Sequence, residues 1–234
     1  MTRTLDSKTA TRVVSLSDEA YARLEELIIT LQLPPGKVVS EAMLSELLGI
    51  GRTPVREALQ RLVRDGLIVV LPQRGTLVSE IDVAMLLRLA EVRREVERLI
   101  VRLAARRGTL EQRKAFMALA ARFEKAATAA ATSAAPDAKR DKAFMRVDRE
   151  FNELCLQASR NEFAANAARM MHGLSRRFFF AHMREPGVLQ SSAQLHGALA
   201  KAIGEGDEVA AARMLDELMD SSESMTRKTV STTF

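Results

Sequence analysis

The chain has 234 residues, 47% of them hydrophobic and 28% charged, with a net charge of +5. That balance supplies apolar surface for one large or two small cores and excludes a chain that is disordered throughout. A single cysteine excludes an internal disulfide and suits a reducing cytoplasm, no apolar run approaches the roughly 20 residues that span a bilayer, and no signal-peptide core is read at the N-terminus. Residues 1–80 hold 10 Lys+Arg and 10 Asp+Glu, so the basic excess lies in 81–234. A nucleic-acid reading therefore rests on where Arg52, Arg56, Arg61, Arg64 and Arg74 stand, not on the isoelectric point.

Residues 1–15 read as a mobile tail. Ser15 or Ser17 caps a first helix, with Asp18 and Glu19 at its positive end and Tyr21, Leu24, Ile28 and Leu31 as its buried stripe. Pro34-Pro35-Gly36 breaks it, and Ser40 caps a second helix with Leu44, Leu47 and Leu48 inward. Gly49 to Gly51 permit a tight turn. Thr53 is expected to cap a third helix, with Pro54 at its first position, where a missing N–H costs nothing. Val55, Leu59 and Leu62 face inward at helical spacing. Arg56, Gln60 and Arg64 fall on another face, and Arg52 stands just before the helix.

Gly66 ends that helix. Leu67–Val70 and Thr76–Val78 are short strand-like runs around a Pro72-Gln73-Arg74-Gly75 turn. Helix, turn, helix, hairpin and basic tip, in that order, make a winged helix-turn-helix over 16–79. Residues 41–78, with Arg-Thr-Pro-Val-Arg-Glu-Ala-Leu at 52–59 and the Arg74-Gly75 wing, resemble the DNA-binding domain of the GntR family of bacterial transcription regulators. The resemblance implies that Thr53, Pro54, Arg56 and Gln60 enter the major groove. It also implies that Arg52 and Arg64 meet phosphate or guanine, and that Gln73, Arg74 and Gly75 bring the wing to the neighbouring minor groove. Ala42 and Gly51 depart from the family pattern, which often has Arg and Ser or Thr there, and each removes an expected DNA contact.

A linker is read at 80–83, then six helices to about 220, and a frayed tail over 221–234. The first helix carries Met85, Leu89, Val92, Val96, Leu99 and Leu103 as a packing seam; Arg94, Arg98 and Arg102 read as solvated. The second holds Phe116, Leu119 and Phe123 and fades into an Ala- and Thr-rich stretch, Ala126 to Ala135, whose last part reads as a loop closed by Pro136. The third, from about Asp141 to Ala158, turns Phe144, Val147, Phe151, Leu154 and Cys155 inward. The fourth opens at Asn161 and carries Phe163, Ala167, Met170, Met171, Leu174 and Phe178. The fifth holds Leu195, Leu199 and Ile203, and Asp207 caps the sixth, with Val209, Ala212, Leu215 and Leu218 inward. The fold class is thus mainly α: an N-terminal winged helix-turn-helix and a C-terminal all-α six-helix bundle.

This bundle resembles the FCD effector domain of FadR-like GntR regulators, through Glu91-Val92-Arg93 and Glu97, Asp148-Arg149-Glu150-Phe151, and His196 before Leu199. The resemblance implies a homodimer on a near-palindromic operator and a small organic acid or other anionic metabolite bound in the bundle by Arg93, Asp148, Asn152, Arg176 and His196, with Arg177 as the alternative to Arg176. In many such domains one Asp and three His hold a divalent metal. The corresponding positions here are Asp148, Asn152, His196 and Leu218, so only Asp148 and His196 are good ligands, and a metal is the less expected occupant of a degenerate site. No cofactor is otherwise expected. No Ser-His-Asp set and no phosphate-cradling glycine loop appears, and Cys155 sits at an apolar position, so an enzyme is not expected. The function implied is a cytoplasmic, metabolite-responsive regulator, more often a repressor. The alternative is an effector-independent or architectural DNA-binding protein whose bundle is only a dimer scaffold.

Overall fold

The computed structural model describes residues 15–73, 75–132 and 137–232; the expectations for the tail at 1–14, for Arg74 and for Pro136 fall outside them. Three helices and a small sheet form the N-terminal head. Helix α1 (Leu16–Ile29) is capped by Ser15, whose hydroxyl accepts from the Asp18 amide, and α2 (Glu41–Leu48) by Ser40. Gly49 ends α2 at φ +66°, a left-handed conformation that favours glycine. Helix α3 (Arg52–Arg64) follows, then β2 (Ile68–Leu71) and β3 (Gly75–Val78) as the antiparallel wing. Strand β1 (Val38–Val39), which the sequence reading had not separated from its loop, pairs with the far edge of β3, giving the order β1-β3-β2.

The bundle has α4 (Val83–Arg107), α5 (Leu110–Thr132), α6 (Ala138–Ser159), α7 (Glu162–His182), α8 (Val188–Glu205) and α9 (Glu208–Thr232). Asp82, Asp137 and Asn161 cap α4, α6 and α7 through their side chains, and Asp207 accepts from the Val209 and Ala210 amides. No described helix is long and apolar enough to cross a membrane.

Several boundaries differ from the sequence reading. Helix α3 begins two residues early, at Arg52, so Gly51 rather than Thr53 holds the cap position and Pro54 lies inside the first turn. Helix α5 continues as far as Thr132, well into the alanine-rich stretch where it was expected to fade; the residues from 133 to 136 lie outside the described ones. Alanine is the strongest helix former, and the Thr128 and Thr132 hydroxyls donate back to carbonyls of the preceding turn. The tail read over 221–234 is also overturned as far as Thr232, the last described residue. Helix α9 runs on to Thr232, with Met225 and Thr226 buried, because Met225 packs against the head and Arg94 reaches Asp216, Asp220 and Glu223. Arg94 and Arg98 are therefore not simply solvated, since Arg98 also binds Asp216, and Arg102 approaches Glu208.

Three apolar stripes are only partly buried: Leu103, Met171, Leu174, Phe178, Leu215 and Leu218 face inward as expected, but other members do not. Phe163 is 79% exposed and Val209 81%, while Ala164, Ala168 and Met171 line the buried face of α7, and Ala211, Leu215 and Leu218 that of α9. On α4, Val92 and Leu99 face out and Glu97 faces in. A heptad-like apolar spacing does not say which neighbouring face is covered.

The head and bundle share packing. Leu174 and Phe178 of α7, Leu86 of α4 and Met225 of α9 belong to the same apolar cluster as the head residues Leu24, Leu62 and Leu67.

Candidate functional site

Helix α3 starts with no side-chain cap and no acidic residue in its first turn, so its leading amides are left to an outside acceptor. Arg52, Thr53, Arg56, Gln60 and Arg64 are exposed and Pro54 is half-buried, so one ridge carries all of the residues assigned to the major groove. Val55, Ala58, Leu59 and Leu62 seat the opposite face in the head core. Gln73 and Gly75 are exposed at the wing tip with φ +66° and +82°.

Two arginines of this region are not bare. Arg56 lies bidentate on Glu41, Nε and Nη2 each donating at 2.8 Å. That pair is solvated, so water and salt screen it and a nucleic-acid acceptor can compete for the guanidinium. Arg61 is half-buried and turned aside: its Nη1 donates to Asp18 at 2.7 Å and its guanidinium stacks on Tyr21, 4.2 Å from the ring centre. It holds α1 to α3 rather than facing DNA.

In the bundle, a cavity of about 420 Å³ opens among α4, α6, α7, α8 and α9. Arg93, Asp148, Asn152, Arg176 and His196 all line it, so the structure brings together every side chain that the sequence had assigned to the effector. They are organised as two carboxylates, each held by one arginine and one histidine. Arg176 Nε donates to Asp148 Oδ2 at 2.7 Å, and its Nη2 donates to the Met145 carbonyl at 3.0 Å. His196 Nε2 stands 3.4 Å from Asp148 Oδ1, and Asn152 Nδ2 donates to that same oxygen at 3.2 Å. Arg93 Nε donates to Glu97 at 2.6 Å, and His172 Nε2 meets the same carboxylate at 3.1 Å.

The ring of His196 is fixed by packing and by its second nitrogen. It stacks 5.1 Å from Phe123, with Phe144 and Phe151 edge-on. Its Nδ1 lies 2.8 Å from the Ser192 carbonyl, which only accepts, so Nδ1 carries a proton and Nε2 is the nitrogen directed at Asp148. Burial alone would raise both carboxyl groups, but their partners overturn it. His196 and Arg176 hold Asp148 well below the usual carboxylate range, and Arg93 with His172 lowers Glu97 to about 2. Both stay ionised at neutral pH. Around this polar end, Phe144, Phe179, Leu218 and Met219 give an apolar wall, and Ser191, Ser221 and Ser224 stand at the rim.

The donor set does not fit a bound divalent metal. Leu218 offers no lone pair, Asn152 turns its amide nitrogen toward Asp148, and the Arg176 guanidinium already occupies the other Asp148 oxygen. No group of three or more His, Cys, Asp or Glu suited to a metal occurs among the described residues. Cys155 is buried, and burial, with the Glu97 and Asp148 charges, pushes its thiol well up, which leaves an unreactive core residue.

Sequence reasoning missed the role of His172, which partners Glu97, and that of α9, whose read-as-tail residues Ser222, Met225 and Lys228 complete the cavity wall. The recurrence of Leu218 and Met225 seven residues apart was a signal for the latter. Arg177, weighed with Arg176 as an anion ligand, turns the other way. Its Nη1 and Nη2 donate to the backbone oxygens of Ser79 and Glu80 in the linker, at 2.7 and 2.8 Å.

Comparison with known proteins agrees with this division. Residues 16–78 match the profile of the bacterial regulatory proteins of the gntR family, and residues 88–221, more than half the chain, match the FCD domain. An HTH-type transcriptional regulator from an unstable DNA locus of Streptomyces ambofaciens is 39% identical over 79 residues, 34% of each chain. The HTH-type transcriptional repressor RspR of Escherichia coli K12 is 33% identical over 90 residues, 38% of this chain and 40% of that one. The chain thus spans well under half the length of these curated relatives. Among solved structures, E. coli McbR/YncC superposes with a TM-score of 0.74 at 22% identity, covering 93% of this chain and 100% of its own, which speaks for a shared fold. With both profiles matched in order, this chain belongs to the GntR family of bacterial regulatory proteins and carries an FCD domain at its C-terminal end.

Proposed function

We propose that the chain is a metabolite-responsive transcription regulator, a repressor in the first instance, that acts in the cytoplasm and is not an enzyme. Two copies bind a near-palindromic operator. The α3 ridge reads the major groove through Thr53, Pro54, Arg56 and Gln60, Arg52 and Arg64 meet phosphate or guanine, and Gln73, Arg74 and Gly75 carry the wing to the minor groove. Exposed Val92 and Leu99 on α4 and Phe163 and Met170 on α7 support a self-association face. These helices lie side by side, since Glu97 of α4 meets His172 of α7.

The observation that carries the reading is the cavity: a buried polar end with two guanidinium groups, inside the domain packed directly behind the winged helix. A planar guanidinium gives a carboxylate two parallel hydrogen bonds, and the apolar wall suits a ligand with a carbon body. The ligand is therefore an organic acid or other anionic metabolite, held without a metal by Arg93, Arg176, Asn152 and His196 around Asp148. A dimer scaffold alone has no use for such a cavity. Two measurements test the reading. Selection from a random duplex library should yield one palindromic site, and thermal-shift screening against organic acids should yield a ligand that changes affinity for it. Recovery of unrelated duplexes with equal affinity would overturn the regulator reading.

A further inference from the structure

Helix α7 presents opposite faces to the two halves of the chain. Successive residues on a helix point about 100° apart, so neighbours in sequence can serve different surfaces. His172, Ser175, Arg176 and Phe179 face the cavity. Gly173, Leu174, Arg177 and Phe178 face the head. A Cβ built on Gly173 would stand 3.0 Å from Leu67 Cδ1, and one built on Gly66 would stand 3.7 Å from Leu174. Arg177 is 1% exposed, the largest fully buried side chain among the described residues. It spends its donors on the carbonyls of Ser79 and Glu80, while its Nε is buried with no hydrogen-bond partner. Ser79, just before the linker, is in turn tied to the turn between α3 and β2, its amide donating to Leu67 O and its hydroxyl to Gly66 O.

A buried guanidinium held by two uncharged carbonyls, with one N–H unsatisfied, is a costly way to fasten a linker. An apolar side chain of that size would pack there without the desolvation. Its neighbour in sequence, Arg176, is the residue that grips Asp148 in the cavity.

We propose that Arg177 is a positioning residue that couples the cavity to the head. A carboxylate ligand that draws Arg176 off Asp148 shifts the backbone at 176, and with it the Arg177 hold on the linker carbonyls. The winged helix is then released from its set orientation behind α7. This rests on the reading of the cavity as a ligand site, but it names the route by which occupancy reaches DNA.

The test is a double-mutant cycle in the full chain, read by hydrogen exchange at the Ser79 amide. R176Q stands in for withdrawal of the guanidinium from Asp148. R177M removes the clamp while keeping an apolar chain of similar length, and R177K, which keeps a charge and a donor, recovers part of the protection. We expect R177M to speed Ser79 exchange about ten-fold or more, R176Q to speed it about five-fold, and the double variant to match R177M alone. Exchange in R176Q within about two-fold of wild type, or factors that simply multiply in the double variant, would overturn the coupling. Exchange in R177M within about two-fold of wild type would overturn the clamp itself. If R177M does not fold, R177K takes its place in the cycle and the criterion of non-additivity is unchanged. Selection of a duplex site by the wild-type chain is run beside it. Failure there counts against the regulator reading, whereas multiplicative exchange with site selection intact counts against the coupling alone.

Discussion

Glu97 allows a prediction whose size follows from the structure. Its carboxyl is buried on α4 between Arg93 and His172 and is held at about 2, against an ordinary value of 4.5. A lowered carboxyl stabilises the fold at every pH above the unfolded value, and that contribution is lost as pH falls through the folded value. The full difference is worth about 3 kcal/mol. Most of it disappears between about pH 4.5 and 2, where the unfolded carboxyl has taken up its proton and the folded one has not. Between pH 5 and pH 3.5 the loss from this group alone is about 1 kcal/mol, which for a chain of this size is roughly 2–4 °C in Tm. Glu97→Gln keeps the shape and removes the titration. Thermal unfolding of wild type and variant at several pH values between 5 and 3.5 should therefore show the wild type losing more stability than the variant by that amount. Parallel curves would refute the argument that Arg93 and His172 hold this carboxylate, whatever the absolute stability of the variant.

Asp148→Ala leaves Arg176 partly buried without its carboxylate and should cost about 3–5 kcal/mol by urea denaturation; D148L/R176M, which removes both charges, should recover most of it, and a double variant no more stable than D148A would contradict a desolvated pair. Arg56→Ala should weaken binding to the selected operator about ten-fold to a hundred-fold and relax choice at one base pair, while Glu41→Ala, which frees the guanidinium, should tighten it; equal losses on operator and random DNA would argue against base reading by Arg56. Zinc or nickel at concentrations that saturate a four-ligand site should leave the Tm of the wild-type chain unchanged, and a stabilisation of several degrees, abolished in Asp148→Asn, would contradict the donor-set argument.

The head was legible because its signals are local. Ser15 and Ser40 cap helices, Gly49 takes a left-handed turn, and Gly75 opens the second wing strand, each within a few residues of the sequence that specifies it. The start of α3 was misplaced by two residues because Thr53 and Pro54 suit a cap and first position, yet the chain turns into helix already at Arg52. Strand β1 is two residues long and exists only because β3 offers it an edge, which no local pattern announces. In the bundle, helices were found but their buried faces only in part: Phe163 and Val209 stand at plausible core spacing and face out, while Glu97 faces in because Arg93 and His172 meet it there. Arg93, Asp148, Asn152, Arg176 and His196, the side chains proposed for the effector, all line one cavity. The opposite duties of Arg176 and Arg177 were beyond reach, since the two differ only in which side of one helix they occupy.

The central claim is that a ligand in the bundle changes how the head holds DNA. The most direct measurement is an equilibrium titration of the full chain against its selected duplex site, with and without a carboxylate that raises its Tm. The account predicts a shift in Kd of about five-fold or more for the wild type, a coupling that Arg176→Gln removes. A carboxylate that stabilises the chain while the two isotherms superimpose would contradict it.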